Sequence, residues 1–190
     1  MNSRGYIQRR RAESTAATGT NILRAAADLF VEAGEEPTLD AVASRAGVTV
    51  QTVLRRFGSK EGLARAAVAD ASQRVSDARG AAPVGDVEGA IANLVEHYME
   101  WGSIALRMLA LEGGGTALAG AAAEGRAFHH AWVERVFAPL LVAMPDAPRR
   151  LVQLVAVTDV YVWKLLHHDL RLSREDAEAA IVDLVRRVLT

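Results

Sequence analysis

Between residues 49 and 60, the 190-residue chain concentrates side chains that could bind a nucleic acid. Gln51 and Arg55 are one helical turn apart, so they would share one face of a helix. Thr52 and Arg56 repeat this spacing one residue later. Glutamine can pair with adenine and arginine with guanine through two hydrogen bonds each, whereas hydroxyls and cations bind phosphates. The residue types and their spacing therefore favour a helix that reads bases and contacts the backbone beside them.

A helical projection separates an inward face from an outward face in this segment. With Val53 at the origin and about 100° per residue, Gln51 and Arg55 lie at about 160° and about 200°, opposite Val53. Phe57 lies one turn after Val53 and is expected to point inward with it. We therefore expect Gln51 and Arg55 to enter a major groove, as the residues of a recognition helix do. The alternative is an ordinary solvated helix face.

Two short predicted helices and a turn would hold this face in place. Thr38 can cap the first helix and Thr49 the second, because a threonine hydroxyl accepts a hydrogen bond from a free backbone N–H group. Gly47 between them can adopt the positive φ of a sharp turn. Ser59 can cap the following helix, where Lys60 is placed to reach a phosphate. Two such helices packed on a third are the parts of a helix-turn-helix.

The segment "TLDAVASRAGVTVQTVLRRFGSKEGL" resembles the DNA-binding signature of the TetR family of transcriptional regulators. The matching positions are Thr38, Val42, Ala43, Ala46, Gly47, Val48, Thr49, Thr52, Val53, Phe57, Ser59, Lys60, Glu61 and Leu63. The resemblance extends over residues 18–65. Taken with the projection above, it assigns DNA binding to Thr38, Thr49, Gln51, Thr52, Arg55, Arg56 and Lys60.

Leu54 departs from the family pattern, in which a Tyr usually stands at this position and contacts a phosphate. A leucine side chain cannot form a hydrogen bond. Arg56 stands where His or Tyr is common in the family. We expect Arg55 and Arg56 to supply the phosphate contact that Leu54 cannot make.

The resemblance implies an all-α fold in two parts. Residues 18–65 would form a three-helix DNA-binding domain of the helix-turn-helix type, and residues 66–190 a helical domain that binds a ligand and forms a dimer. Residues 1–17 would form a flexible basic arm, with arginines at positions 4, 9, 10 and 11. Such an arm is either solvated or adds phosphate and minor-groove contacts.

Charge and composition restrict the class of protein. Residues 1–66 hold ten basic and seven acidic side chains, and the remainder holds twelve and sixteen, so contact with a polyanion is expected only at the N-terminal end. The N-terminal segment lacks the apolar core of a signal peptide. No apolar run approaches about 18 residues, the length that spans a membrane. These features predict a cytoplasmic protein without a membrane segment.

Signatures of catalysis and metal binding do not stand out. The sequence holds no phosphate-binding glycine loop and no nucleophile elbow, so neither enzymatic activity nor a cofactor is expected. His129–His130 and His167–His168 are adjacent pairs, whose side chains diverge by about 100° on a helix. Without cysteine, such pairs predict no metal site.

Apolar spacing predicts further helices in the C-terminal two-thirds. The helix that carries Trp101 is expected to end at Gly102, with a short helix after it. Another helix is expected to begin at Asp146 and to reach His167. Ser173 begins a segment that resembles a capping box and is expected to start the last helix.

The last two predicted helices carry wide apolar faces, which include Leu154, Leu165, Ile181 and Leu184. These faces either belong to the core or form an interface with a second copy. In the family, the last two helices of each subunit resemble halves of a four-helix dimer interface. We expect a homodimer through them, since a palindromic operator on double-stranded DNA requires two-fold symmetry.

A small-molecule site is predicted from the few aromatic residues on the central helices. Trp101, Phe128 and Trp132 could wall an apolar pocket, and Arg107 and Tyr161 could orient a polar or anionic end. The alternative is that these residues are core residues whose polar tips are satisfied. The ligand itself is not identified by the sequence.

The leading interpretation is a dimeric, sequence-specific DNA-binding repressor that a small-molecule ligand releases from its operator. The ligand would shift the helix after Ser59 and change the spacing of the two recognition helices. A second interpretation is an all-helical small-molecule-binding protein or enzyme with a vestigial helix-turn-helix. A third is a constitutive regulator that has no ligand.

Overall fold

A computed structural model describes residues 3–33, 35–110 and 117–190 of the chain. Within these ranges it describes the side chains of all residues except 3–15, 117–119 and 121. Every regular element in these ranges is helical, which confirms the predicted all-α class. The helices are α1 (Ser3–Ala33), α2 (Leu39–Ala46), α3 (Val50–Phe57), α4 (Lys60–Gly80), α5 (Val87–Ala110), α6 (Ala117–Leu141), α7 (Ala147–Val157), α8 (Val160–Trp163) and α9 (Arg174–Leu189). A π-helical turn, Lys164–Asp169, continues α8.

The chain divides into two compact units, Met1–Ser72 and Gln73–Thr190. The division falls within α4, downstream of the boundary that the sequence predicts at residue 65. Residues 3–17, predicted as a flexible arm, are helical because α1 begins at Ser3. The segment holds four Arg and three Ala, which favour helix and let α1 extend toward the N-terminus. The side chains of the four arginines lie outside the described residues, and their contact with DNA stays a prediction.

The core of the first unit is built from one face of each of its four helices. Apolar residues recur every three or four positions, so each helix presents them on one side. The buried members are Ile22, Ala25, Ala26, Val42, Ala43, Val53 and Leu63. Burial of each larger side chain contributes about 1.5–3 kcal/mol, which is enough to hold the short helices α2 and α3 against α1.

The core of the second unit surrounds α5, which packs against α6, α8 and α9. Its buried side chains include Ile91, Leu94, Val95, Val133, Val136, Phe137, Leu154, Ile181 and Val185. The apolar residues predicted for the last helices therefore divide between this core and the surface, because Leu165 and Leu184 remain exposed.

The predicted end of a helix at Gly102 is wrong, since α5 continues to Ala110. Gly102 is buried and faces the indole ring of Trp163. A Cβ atom at this position would lie 2.4 Å from Cζ3 of Trp163. The glycine therefore permits close packing of a side chain on the helix and does not terminate it.

The predicted helix from Asp146 to His167 is interrupted at Thr158 and Asp159, where α7 ends and α8 begins. The Thr158 hydroxyl donates to the carbonyl of Leu154 at 2.6 Å, and the Asp159 carboxylate accepts from the Tyr161 N–H at 2.9 Å. Side chains that bond to nearby backbone in this way compete with the helix. Ser173 caps α9 as predicted, since its hydroxyl oxygen accepts from the Asp176 N–H at 3.0 Å.

Candidate functional site

The turn between α2 and α3 has the local geometry that the sequence predicts. Thr38 Oγ1 accepts from the Ala41 N–H and Thr49 Oγ1 from the Thr52 N–H, each at 3.2 Å. Gly47 has a φ of 68°, in the left-handed region, where a residue without Cβ avoids strain. The two threonine hydroxyls thus fix where α2 and α3 begin, and their contact with DNA stays a prediction.

Helix α3 has an inward and an outward face. Val53 is completely buried and Phe57 is half-buried, whereas Gln51 and Arg55 are exposed on the opposite side. Leu54 is also exposed, at 38%. The structure therefore brings Gln51 and Arg55 together on one exposed ridge, and their contact with bases in a major groove stays a prediction.

Arg56 is placed differently from Arg55, because its guanidinium lies against α1. A Cβ atom on Gly19 would lie 2.3 Å from Nη2 of Arg56, so only glycine leaves room for this approach. The contact holds one cation at the junction of α1 and α3, beside the exposed ridge. The sequence pattern does not indicate Gly19, because an isolated glycine in a helix does not predict which side chain packs against it.

Lys60, predicted to bind a phosphate, has an acidic neighbour. Its Nζ lies 3.5 Å from Oε2 of Glu36 and 3.5 Å from the Glu36 carbonyl oxygen. The pair is exposed, and such pairs contribute about 0–1 kcal/mol, so a phosphate can displace the carboxylate. Arg45 forms a two-bond pair with Glu32 at 2.9 and 2.7 Å, which links α1 to α2.

The five predicted ligand residues occupy different environments. Phe128 and Trp132 lie beside the guanidinium of Arg79, with 5.8 and 4.1 Å from its Cζ to the ring centres. Trp101 is buried under Arg74, whose Cζ lies 5.0 Å from its ring. Arg107 and Tyr161 are exposed. The structure thus joins two of the five around a residue that the sequence did not indicate.

Arg79 is the largest fully buried side chain among the described residues, with 2% of its surface exposed. His129 Nδ1 lies 3.4 Å from Arg79 Nη2, and His129 Nε2 lies 3.2 Å from Thr158 Oγ1. Because the Thr158 hydroxyl donates to the Leu154 carbonyl, it accepts from His129 Nε2, and Nδ1 is left to accept from Arg79. Trp132 Nε1 donates to the Arg79 carbonyl at 3.1 Å. We call Arg79, His97, Tyr98, His129, Trp132 and Thr158 the Arg79 cluster.

Burial controls the protonation of the Arg79 cluster. It lowers the pKa of Arg79 to about 10, and the group remains charged at neutral pH. Burial, together with the charge of Arg79, lowers the pKa of His129 to about 4 and that of His97 to about 3. Burial raises the pKa of Tyr98, whose hydroxyl donates to the Thr158 carbonyl at 2.8 Å. At neutral pH the cluster is therefore a single buried cation among neutral groups.

The Arg79 cluster has no local sequence signal, because nothing in the neighbouring residues distinguishes Arg79. It precedes the Gly- and Pro-rich break after α4, where an arginine is usually solvated. In the part of the chain that the structure describes, no three His, Asp or Glu side chains are grouped to hold a metal ion. Likewise, no helix in that part is both long and apolar enough to cross a membrane.

Residues 22–67 match the family model for the bacterial regulatory proteins of the tetR family. The helix-turn-helix segment of this chain matches the tetR family. The match contains α2, α3 and the start of α4, and it confirms the resemblance predicted from the signature residues. Residues 22–67 are thus similar to the DNA-binding segment of the tetR-family regulators. No curated protein sequence matches the chain.

Two solved structures resemble the whole chain. A transcriptional regulator from Rhodococcus sp. Rha1 is 18% identical with a TM-score of 0.70, and the match covers 90% of this chain and 95% of that one. A protein from Rhodococcus sp. assigned to the TetR-family transcriptional regulators is 20% identical with a TM-score of 0.66, covering 92% and 100%. At these identities the likeness establishes the fold, an N-terminal helix-turn-helix followed by a helical C-terminal part.

Proposed function

We propose that this TetR-type chain is a dimeric, sequence-specific DNA-binding repressor that a small-molecule ligand releases from its operator. DNA binding is assigned to residues 18–65, and ligand binding and dimerisation to residues 66–190. The protein acts in the cytoplasm by binding and not by catalysis. The observation that carries the proposal is the exposed ridge of Gln51 and Arg55 on α3, inside the segment that matches the family.

The chemistry of the ridge supports sequence-specific binding. Gln51 and Arg55 can each form two hydrogen bonds with a base edge, to adenine and guanine respectively. Arg56 and Lys60 supply positive charge beside the ridge, where phosphates flank a major groove. The second interpretation, a small-molecule carrier with a vestigial helix-turn-helix, requires no free ridge of this kind.

Exposed apolar side chains support dimerisation through the last helices. Val152, Leu165 and Leu184 are exposed at 64%, 50% and 36%. Leu184 lies on α9 at the edge of the face that holds the fully buried Ile181 and Val185, about 60° and about 100° from them around the helix. A second copy that covers these side chains would remove apolar surface from water, and its two-fold axis would match a palindromic operator.

Ligand release is supported by the path of α4. The helix begins three residues after the end of α3 and carries Arg79 next to its last residue. A ligand with higher affinity for one position of α4 would shift the population toward that position. The change would alter the spacing of the two recognition helices in the dimer and lower the affinity for the operator.

The test is selection of bound DNA from a random pool by the full chain. We expect a palindromic site with two half-sites, each with a G·C pair that Arg55 contacts. Binding should weaken steeply as salt concentration rises, because phosphate contacts release counterions. Recovery of random DNA with no shared motif would reject sequence-specific regulation and favour the carrier.

A further inference from the structure

We propose that the ligand of the second unit is an organic monoanion, a carboxylate with an apolar body, whose charged group is bound by Arg79. The inference deepens the proposed function, on which its regulatory meaning rests. Its starting point is a buried cation for which the described residues provide no carboxylate partner.

The burial of Arg79 is costly without a countercharge. Transferring a charged side chain from water into a protein interior costs several kcal/mol unless a partner of opposite charge is present. Arg79 is 2% exposed, and its Nε has no hydrogen-bond partner. The contact of Nη2 with His129 Nδ1 is long, at 3.4 Å. The guanidinium also has a side-chain hydrogen bond with the neutral Tyr98, so Nε is the donor that is left to bind an anion.

Among the residues that the structure describes, the groups next to Arg79 supply no negative charge. Its charged or titratable neighbours are His97, Tyr98, His129 and Arg135. The two histidines and the tyrosine are neutral near pH 7, and Arg135 is a second cation, which donates to the carbonyls of Arg79 and Ala82 at 3.0 and 3.4 Å. Among the described residues the charge of Asp159 acts on Tyr98, but no carboxylate acts on Arg79 itself, so the charges next to the guanidinium favour an anion over a neutral or cationic ligand.

The aromatic rings near Arg79 do not replace an anion. The faces of Trp132 and Phe128 lie 4.1 and 5.8 Å from Cζ, and a cation–π contact contributes about 0.5–2 kcal/mol. That contribution offsets only part of the cost of burying the charge. The rings instead leave the edge of the guanidinium, including Nε, for hydrogen bonds in its plane.

The number of charges and the surrounding side chains define the class of ligand. A planar guanidinium fork fits two carboxylate oxygens, and one buried cation balances one negative charge. A dianionic phosphate would leave a surplus charge in the core. His97 Nδ1 is a further buried nitrogen without a hydrogen-bond partner, and the charge of Arg79 acts on this histidine. Trp132, Phe128 and the apolar residues of α5 and α6 suit an apolar body.

The test compares carboxylates with amides of the same shape. The probes are straight-chain fatty acids from butanoate to dodecanoate, benzoate and phenylacetate, each paired with its neutral amide. Thermal unfolding and tryptophan fluorescence of the full chain are measured without DNA at pH 7.5. We expect at least one carboxylate to raise the midpoint of unfolding in a saturable manner while its amide does not.

Two variants test whether the carboxylate of the ligand binds to the guanidinium of Arg79. Arg79→Met should fold, because it removes an unpaired buried charge, and should lose about 10–100-fold in affinity for the active carboxylate. Arg135→Met, the matched control, removes a nearby cation that bonds only to carbonyls and should retain most of the affinity. If Arg79→Met fails to fold, Arg79→Lys retains the charge without the fork and should weaken carboxylate binding at least tenfold.

The proposal is overturned if no carboxylate stabilises the protein, if amides bind as well, or if Arg79 variants that fold bind as tightly as the parent. These results are independent of operator binding, which is measured separately with the selected DNA. Carboxylate binding without any DNA recognition would reject the repressor and leave the anion site intact. DNA recognition without any carboxylate effect would reject the anion site alone.

Discussion

The guanidinium carbon of Arg79 lies 4.1 Å from the ring centre of Trp132, whose Nε1 donates to the Arg79 carbonyl oxygen at 3.1 Å. One indole therefore holds both the side chain and the backbone of Arg79, at the end of α4. Because Arg79 is 50 positions from His129 in sequence, it joins distant elements of the second unit through a charged group. The histidines buried near Arg79 should make the free energy of unfolding depend on pH.

Stability should fall below neutral pH because two histidines near Arg79 are buried in neutral form. Their pKa values are lowered to about 4 for His129 and about 3 for His97, whereas in the unfolded chain they are about 6.5. At pH values between the folded and the unfolded pKa, the unfolded chain binds more protons than the folded chain. The free energy of unfolding therefore decreases as pH falls. The slope reaches about 1.4 kcal/mol per pH unit for each histidine, and this contribution is constant above about pH 6.5.

Urea unfolding at pH 7, 6 and 5 measures this slope. His129→Gln should reduce it, since one of the two groups is gone. His130→Gln removes an exposed histidine from the same helix and is the matched control. Equal slopes in the two variants would contradict the assignment of the effect to His129.

Gly102→Ala should destabilise the protein although alanine favours helix. The new Cβ would lie 2.4 Å from Trp163 Cζ3, and such overpacking costs about 1–3 kcal/mol. Gly125→Ala is the control, because Gly125 also lies in a helix but has nothing within 4 Å of an added Cβ. It should stabilise by about 0.5–1 kcal/mol. Chemical denaturation of both variants checks the opposite signs, and a stabilising Gly102→Ala would refute the packing role.

Arg55→Ala should weaken binding to the selected operator by about 1–3 kcal/mol and blur the preference at one base pair of each half-site. Arg24→Ala removes the same charge from an exposed position on α1 and should leave every base preference intact. Affinities for operator variants with single base changes distinguish the two outcomes. If Arg55→Ala changes neither affinity nor preference, the ridge does not read bases.

Substitutions of Lys60 and of Glu36 should change the affinity for DNA in opposite directions. Lys60→Ala should weaken all sequences alike and reduce the slope of log affinity against log salt by about one unit. Glu36→Gln removes the carboxylate 3.5 Å from Lys60 Nζ and should strengthen binding to all sequences. Titrations at several salt concentrations, with operator and with random DNA, measure both effects. A loss confined to the operator would show that Lys60 contacts a base.

Leu184→Glu should convert the homodimer into monomers, because it places a charge in the proposed apolar interface. Operator affinity should fall by about 10²-fold or more, since each half-site is then bound alone. Met99→Glu, at a position on α5 with similar exposure, should remain dimeric. Sedimentation at micromolar concentration measures both, and a monomeric parent protein would reject the dimer.

The sequence by itself determined the local features of the DNA-binding segment. Thr38 and Thr49 cap helices, Gly47 adopts positive φ, and Val53 faces inward, all as predicted. Each of these outcomes depends on residues within about one turn in the chain, where hydrogen bonds and helical periodicity leave few alternatives. The exposed Gln51 and Arg55 follow from the same periodicity.

Only the tertiary structure decided which glycines and charges are buried. Gly102 packs under Trp163, 61 positions away, so a residue that locally favours a helix end lies within α5. Arg79 is buried because His129 and Trp132, 50 and 53 positions away, cover it. Local sequence cannot encode this, because burial depends on which helix faces meet after folding. The same packing separates Tyr161 and Arg107, which are exposed, from Trp132, which lies in the core.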